Sequence, residues 1–236
     1  MFSSARTATH ANGAHLVHIQ AITPTPATAD STGFGAEVER ARPGAHGMNR
    51  RDLIGRTLAL AAGAAGFAHA GEANTRALSF RGTAFLHRWS KDAQHEFTPA
   101  PDTDLKSWHD MITLNLHSKV RQGEQLADVA NQVLGNYQRH GKILQTRSTP
   151  RTAARPAEHL IVAVLGTPQL LECSFARCML HEGVGLVAVV SHRVYGPAAG
   201  PEMKRWLAAQ GQANEQALMA WAMLPSPDQL NRLPPA

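Results

Sequence analysis

Two cysteines lie five positions apart in an apolar segment, and their thiols are the groups best suited to redox or nucleophilic chemistry. Cys173 and Cys178 are the only cysteines among the 236 residues. On a regular strand, residues five apart point to opposite faces with α carbons about 16 Å apart, whereas a disulfide needs less than about 7 Å. We therefore expect two buried thiols, with an intermolecular disulfide as the alternative.

A thiol nucleophile would need a base and a third group that orients the base. Cys178 could meet His181 or His192 and Glu172 from neighbouring strands, which would give a hydrolase. However, no glycine-rich nucleophile turn presents Cys178, and cysteines buried in strands are usually inert. The residues therefore predict no catalytic residue, and enzymatic activity is the less favoured class of function.

Histidines offer a second chemistry, metal binding. None of those considered has the short spacing to another ligand that marks a metal site. The best pair is His87 with His95, which could approach across a turn. We predict no metal-ligating residue and no cofactor-binding residue. The candidate metal-binding histidines are His87, His95, His109, His117, His159, His181 and His192.

Four tryptophans, Trp89, Trp108, Trp206 and Trp221, are expected in the core or at its rim. Their rings are large and apolar, with one N–H group that seeks an acceptor. A groove between a sheet and its helices could use one of them to hold an apolar ligand.

The strongest element that the residue pattern predicts is a helix over residues 122–139. Apolar residues recur at helical spacing and form one stripe. Gly141 is well placed to end this helix. The stripe comprises Leu126, Val129, Ala130, Val133, Leu134 and Tyr137.

Strand patterns precede and follow this helix. Residues 109–117 alternate, with Ile112 and Leu114 on one side and Thr113 and Asn115 on the other, which predicts a half-buried strand. Residues 160–165 and 186–190 are apolar at every position, which predicts strands covered on both faces. Short links make neighbouring strands antiparallel. The other predicted strands are 77–90 and 94–98 around a turn at 91–93, then 142–149, 159–165, 169–180 and 186–195.

The last part of the chain predicts helices that cover the sheet. Gly200 and Pro201 would open one helix, and Asn214 would cap a second helix that contains Trp221. The proline-rich residues 224–236 are expected to form a flexible tail. The expected class is α+β: an antiparallel β-sheet of about six or seven strands covered by one long helix and C-terminal helices.

This order of elements resembles the PsbP and DcrB-like family of exported proteins. The resemblance covers residues 80–207. It rests on the helix at 122–139, the following Lys142-Ile143-Leu144, the entry Arg155-Pro156-Ala157-Glu158-His159 into a meander of three strands, and the final helix. Membership would imply a small non-catalytic sandwich used for binding or assembly.

Residues 48–70 are typical of an export signal. Arg50 and Arg51 give a positively charged start, and the eleven uncharged residues at 57–67 are fewer than the ~20 that span a bilayer. Ala68 and Ala70 suit a signal peptidase, which would leave Gly71 as the mature N-terminus. The paired arginines resemble the twin-arginine motif, and the general secretory route is the alternative.

Residues 1–47 precede this signal and need a separate explanation. They are rich in Ala, Thr, Gly and Pro and show no helical or strand period, so we expect disorder. Because a signal peptide works from the N-terminus, we expect a start codon assigned too far upstream; a transit-type extension is the alternative. The expected organisation is an extension at 1–47, a signal at 48–70, one domain at 71–223 and a tail at 224–236.

The charge of residues 71–236 narrows the classes of partner. This part has 17 Lys and Arg against 14 Asp and Glu. The basic cluster of Arg147, Arg151 and Arg155 has no interleaved aromatic residues, so a solvated loop is expected and nucleic-acid binding is not.

We therefore expect a bacterial protein that is periplasmic or secreted and serves as a non-catalytic binding or assembly-support domain. A carrier of a small ligand or a metal ion is the alternative, as is a hydrolase that uses Cys178 or a histidine-bound metal. The expected partners are the export machinery, signal peptidase and a periplasmic protein. No stable membrane span is expected after cleavage.

Overall fold

The computed structural model describes residues 76–153, 155–167 and 169–235. The predicted export signal at 48–70 and the extension before it lie outside these residues. The described chain forms one antiparallel sheet and three helices, so the predicted α+β class with an antiparallel sheet is confirmed. The sheet has eight strands, more than the six or seven predicted.

The elements follow one another as strands, a helix, a meander and two closing helices. The helices are α1 (Gly123–His140), α2 (Ala199–Ala220) and α3 (Pro227–Asn231). In the described part of the chain, no helix is long and apolar enough to cross a membrane. The strands are β1 (Ala77–Phe80), β2 (Thr83–Lys91), β3 (Gln94–Pro99), β4 (Asp110–His117), β5 (Gly141–Thr149), β6 (Glu158–Thr167), β7 (Leu170–His181) and β8 (Val184–Tyr195).

The strand count differs from the prediction because a tight turn divides the first predicted strand. Arg81 and Gly82 both have positive φ, 50° and 78°, which fits the two-residue hairpin turns that match strand twist. This turn separates β1 from β2. The sheet order is β1-β2-β3-β4-β8-β7-β6-β5, so β1 and β5 are its edges.

Two apolar cores lie on opposite faces of the sheet. Helix α1 packs on β5, β6 and β7, and α2 packs on the other face of β7 and β8. On β8, Val187 and Val189 belong to the core beneath α1, whereas Leu186 and Val190 belong to the core beneath α2. The prediction that this apolar segment is covered on both faces is therefore confirmed.

Helix α1 begins and ends within one residue of its predicted bounds. Its stripe, which includes Leu126 and Tyr137, is buried against the sheet. Gly141 follows the helix and begins β5. A Cβ atom on Gly141 would lie 2.1 Å from the Val164 carbonyl oxygen, so the close approach of β6 requires glycine here.

Two details of the predicted elements are wrong. The polar side of β4 is not exposed: Thr113 is fully buried and Asn115 is 6% exposed, so this strand is covered on both faces. Helix α2 is also continuous where two helices were predicted. Asn214 lies inside it, buried, and accepts a hydrogen bond from the Arg81 guanidinium at 3.0 Å, while Trp221 lies just after its end.

The proline-rich segment after α2 contains α3. Ser226 caps this short helix, since its hydroxyl accepts the Gln229 backbone N–H at 3.1 Å. Leu230 and Leu233 are buried and belong to the core beneath α2. The segment from Leu224 to Leu233 therefore packs against the domain.

Both edge strands of the sheet reach α2. At one edge, Arg81 in the β1–β2 turn donates hydrogen bonds to Gln210 and Asn214. At the other, Arg147 on β5 forms a 2.8 Å salt bridge with Glu215. The sheet therefore curves around α2, which places β1 beside the C-terminal end of this helix.

Candidate functional site

The two thiols lie on opposite faces of β7, as the spacing predicts. Both are free and fully buried, Cys173 beneath α2 and Cys178 beneath α1. Burial raises the pKa of both thiols, that of Cys178 to about 12. Burial and the raised pKa oppose both an intermolecular disulfide and nucleophilic chemistry at these thiols.

The constellation of Cys178 with His181 or His192 and Glu172 is wrong. His192 lies on β8 directly opposite Cys173 of β7. Because residues 173 and 178 point to opposite faces of the sheet, His192 lies on the face away from Cys178. His181 is also an odd number of positions from Cys178 on the same strand. Glu172 does share the face of Cys178, but its carboxylate accepts hydrogen bonds from Arg193 at 3.0 Å and from Ser174 at 2.9 Å.

His87 and His95 do approach each other, through one serine. The Ser90 hydroxyl lies 2.7 Å from His87 Nε2 and 2.8 Å from His95 Nδ1. Burial lowers the pKa of both imidazoles, that of His95 to about 4. In the described ranges, no group of three or more His, Cys, Asp or Glu side chains is arranged to hold a metal ion.

A second histidine arrangement lies where β4 and β8 meet. His192 Nδ1 is 2.9 Å from an Asp110 carboxylate oxygen, and its ring stacks on Trp206 of α2 with centres 4.2 Å apart and planes 2° apart. Such a pair fixes the orientation of the imidazole. Its neighbour across the strands, Cys173, is a neutral buried thiol, so this histidine has no nucleophile to activate.

Arg177 holds the C-terminal end of α2 against the sheet. Its guanidinium binds both carboxylate oxygens of Glu158 at 2.9 and 3.0 Å. It also donates to the backbone carbonyls of Leu218 and Trp221 at 2.9 and 3.0 Å. The Leu218 carbonyl also accepts the Trp221 backbone N–H at 3.2 Å, so Arg177 reinforces the last turn of α2 and fixes the position of Trp221.

A groove of about 400 Å³ lies between the β1–β2 turn and the C-terminal end of α2. The Trp221 ring packs against Phe80 with ring centres 5.2 Å apart. Met223, at the groove, is 77% exposed. Tryptophan and methionine are enriched where proteins bind their partners, so this groove is the best candidate for a binding site. Its lining includes Phe80, Arg81, Ala217, Ala220, Trp221 and Met223.

The groove is also lined by one charged side chain, that of Arg81. The Arg81 guanidinium is held by two neutral acceptors, the side-chain oxygens of Asn214 and Gln210, each at 3.0 Å. An oriented cation therefore lies beside an apolar surface.

The sequence pattern anticipated one part of this site and missed others. The expectation that a tryptophan could line a groove between sheet and helices fits Trp221. The pattern gives no prediction for Arg81 and Met223, although Arg81-Gly82 is a turn signal. Arg177 was also missed, and a single arginine within an apolar strand is a signal that a buried partner is needed.

Comparisons with known proteins leave the family of this chain open. No protein-family model matches it, and no curated protein matches it. One solved structure that resembles it is PA94 from Pseudomonas aeruginosa, a protein of unknown function. The two share 11% sequence identity over 64% of this chain and 97% of that one, with a TM-score of 0.36. This similarity is too low to bear on fold or function.

Proposed function

We propose that this chain is an exported, non-catalytic binding domain whose binding site is the groove at Trp221. The observation that carries this proposal is the groove of about 400 Å³, which is lined by the largely buried Phe80 and Trp221 and by the exposed side chain of Met223. The buried, neutral thiols oppose the alternative of a hydrolase that uses Cys178. The predicted export signal at 48–70 supports the location.

The groove should bind a neutral apolar probe. A large side chain introduced into the groove should prevent the probe from binding. N-phenylnaphthylamine fluoresces in apolar surroundings, so we expect its emission to rise on binding to the full chain. Ala220 is exposed and lines the groove, and Ala220→Trp should weaken probe binding at least about tenfold by occupying the space.

Ala209→Trp is the matched control, since Ala209 is an exposed alanine of the same helix outside the groove lining. Its probe affinity should equal that of the unchanged chain. Equal binding by both variants would place the probe elsewhere and would contradict the proposed site.

The exported location has its own test. N-terminal sequencing of the protein recovered from the periplasm should give a chain that begins at Gly71, because Ala68 and Ala70 are small residues that signal peptidase accepts. Recovery of the protein only in the cytoplasm, with residues 48–70 intact, would contradict this part of the proposal.

A further inference from the structure

We infer that the Trp221 groove receives an extended peptide that pairs with the outer edge of β1, places an apolar side chain against Trp221 and places a carboxylate on Arg81. This inference rests on the proposed function, since it names the partner of the same groove. Three independent features carry it: an open strand edge, an apolar cavity and an oriented cation.

The outer edge of β1 is free to accept a strand. Phe80 and Thr83 close the two-residue turn and form the hydrogen-bonded pair of the hairpin. The next pair, Ser79 with Ala84, is then of the non-hydrogen-bonded type, so the backbone N–H and C=O of Ser79 point away from β2. Within the described residues no strand pairs with this edge, and Ser79 is exposed and lines the groove.

A strand added at this edge would place alternate side chains on the side of α2. There the groove gives about 400 Å³, bounded by Trp221 and the small side chains of Ala217 and Ala220. These features fit one large apolar residue of a peptide.

The charge beside the groove selects an acidic peptide. Arg81 is exposed, and its described hydrogen-bond partners, Asn214 and Gln210, are both neutral. They orient the guanidinium without neutralising it. Arginine binds carboxylates with charge-assisted, often bidentate hydrogen bonds, so Asp, Glu or a C-terminal carboxylate next to the apolar residue would complete the site.

A fatty acid would match the apolar cavity and Arg81 but would leave the backbone groups of Ser79 unpaired. The open edge therefore favours a peptide over a lipid. A second copy of this chain is the other candidate that the edge admits, since edges of sheets can pair with each other.

Selection from a random heptapeptide library displayed on phage, with the full chain as bait, tests the inference. Enriched sequences should combine β-branched residues with one large apolar residue next to Asp, Glu or a free C-terminus. A synthetic peptide of the enriched sequence should bind at least about tenfold more weakly to Arg81→Glu, because a like charge replaces the attractive one. Arg205→Glu, an exposed arginine of α2 outside the groove lining, should leave the affinity unchanged.

Strand pairing has a separate readout. Binding should slow hydrogen exchange of the Ser79 amide. Two N-methylated peptides, one modified at the odd-numbered amides and the other at the even-numbered amides, should behave differently, because only one set of amides faces β1: one peptide should lose binding and the other should keep it. Tolerance of N-methylation at every position, or enrichment without acidic residues, would overturn the inference. So would a concentration-dependent dimer that protects Ser79 without peptide, because the occupant would then be a second copy.

The failures of the two proposals are distinguishable. If N-phenylnaphthylamine binds and Ala220→Trp blocks it while no peptide is enriched, the groove is a binding site and the peptide inference is wrong. If neither the probe nor a peptide binds, both are wrong.

Discussion

Replacing Arg177 with leucine will lower the free energy of unfolding by about 3–5 kcal/mol, the range seen when one partner of a buried ion pair is removed. The Arg177 side chain is 8% exposed and that of Glu158 is 19% exposed. The change leaves this carboxylate without its cation and removes the guanidinium hydrogen bonds to the carbonyls of Leu218 and Trp221. Urea denaturation followed by circular dichroism measures the loss.

Two further variants separate the contributions to this loss. The double variant Arg177→Leu with Glu158→Leu removes both charges, so stability should return in part; the remaining deficit then reports the lost hydrogen bonds from Arg177 to the two carbonyls. Arg205→Leu is the control, since Arg205 is exposed on α2 and its removal should cost less than about 0.5 kcal/mol. A loss below about 1 kcal/mol for Arg177→Leu would contradict the assigned role.

The same variant should also affect the groove. Arg177 binds the Trp221 carbonyl, so its loss frees the chain at the end of α2, where Trp221 and Met223 line the groove. In an Arg177→Leu chain that still folds, affinity for the apolar probe should fall, although Arg177 does not line the groove.

The parts of the fold with regular spacing could be predicted from the sequence. The stripe from Leu126 to Tyr137 and the alternation of Ile112 and Leu114 depend only on which neighbours a helix or strand places on one face. The opposite orientations of Cys173 and Cys178 follow from the same rule. Local periodicity was therefore sufficient to predict α1, the strands of the second half and the burial of the two thiols on opposite faces.

Tertiary partners decided the features that were missed. Asn214 looked like a helix cap, but inside α2 its side chain accepts the Arg81 guanidinium, 133 positions away in the chain. Thr113 looked solvent-facing because it is polar, yet it is fully buried. The groove depends on the curvature that brings β1 to the end of α2, and no spacing along the chain encodes this approach.

Acidification from pH 6.5 to about pH 4 will lower the free energy of unfolding by about 2–3 kcal/mol through His95 alone. Burial, together with the smaller effect of the nearby His87, lowers the pKa of His95 from 6.5 to about 4. Between these pH values the unfolded chain binds a proton that the folded chain does not. The stability contributed by neutral His95 is thus fully present above pH 6.5 and is lost as pH falls through this window.

The surroundings of His95 explain why it resists protonation. Its Nδ1 shares the Ser90 hydroxyl with His87, and its Nε2 is buried without a hydrogen-bond partner. A protonated ring carries an N–H on both nitrogens, so its Nε2–H would have no acceptor. Burial also lowers the pKa of His117 and His159, so the whole chain should lose more stability than His95 alone accounts for.

His95→Asn keeps a polar group near Ser90 but does not titrate, so its free energy of unfolding should fall less steeply between pH 6.5 and pH 4 than that of the unchanged chain. Urea denaturation at a series of pH values gives both slopes, and NMR titration of the imidazole C–H signals gives the pKa of each histidine directly. Parallel slopes for the two chains, or a His95 signal that titrates near pH 6.5, would contradict the burial of a neutral imidazole. If the slopes differ as expected, His95 is a structural residue that the fold keeps uncharged in the hairpin of β2 and β3.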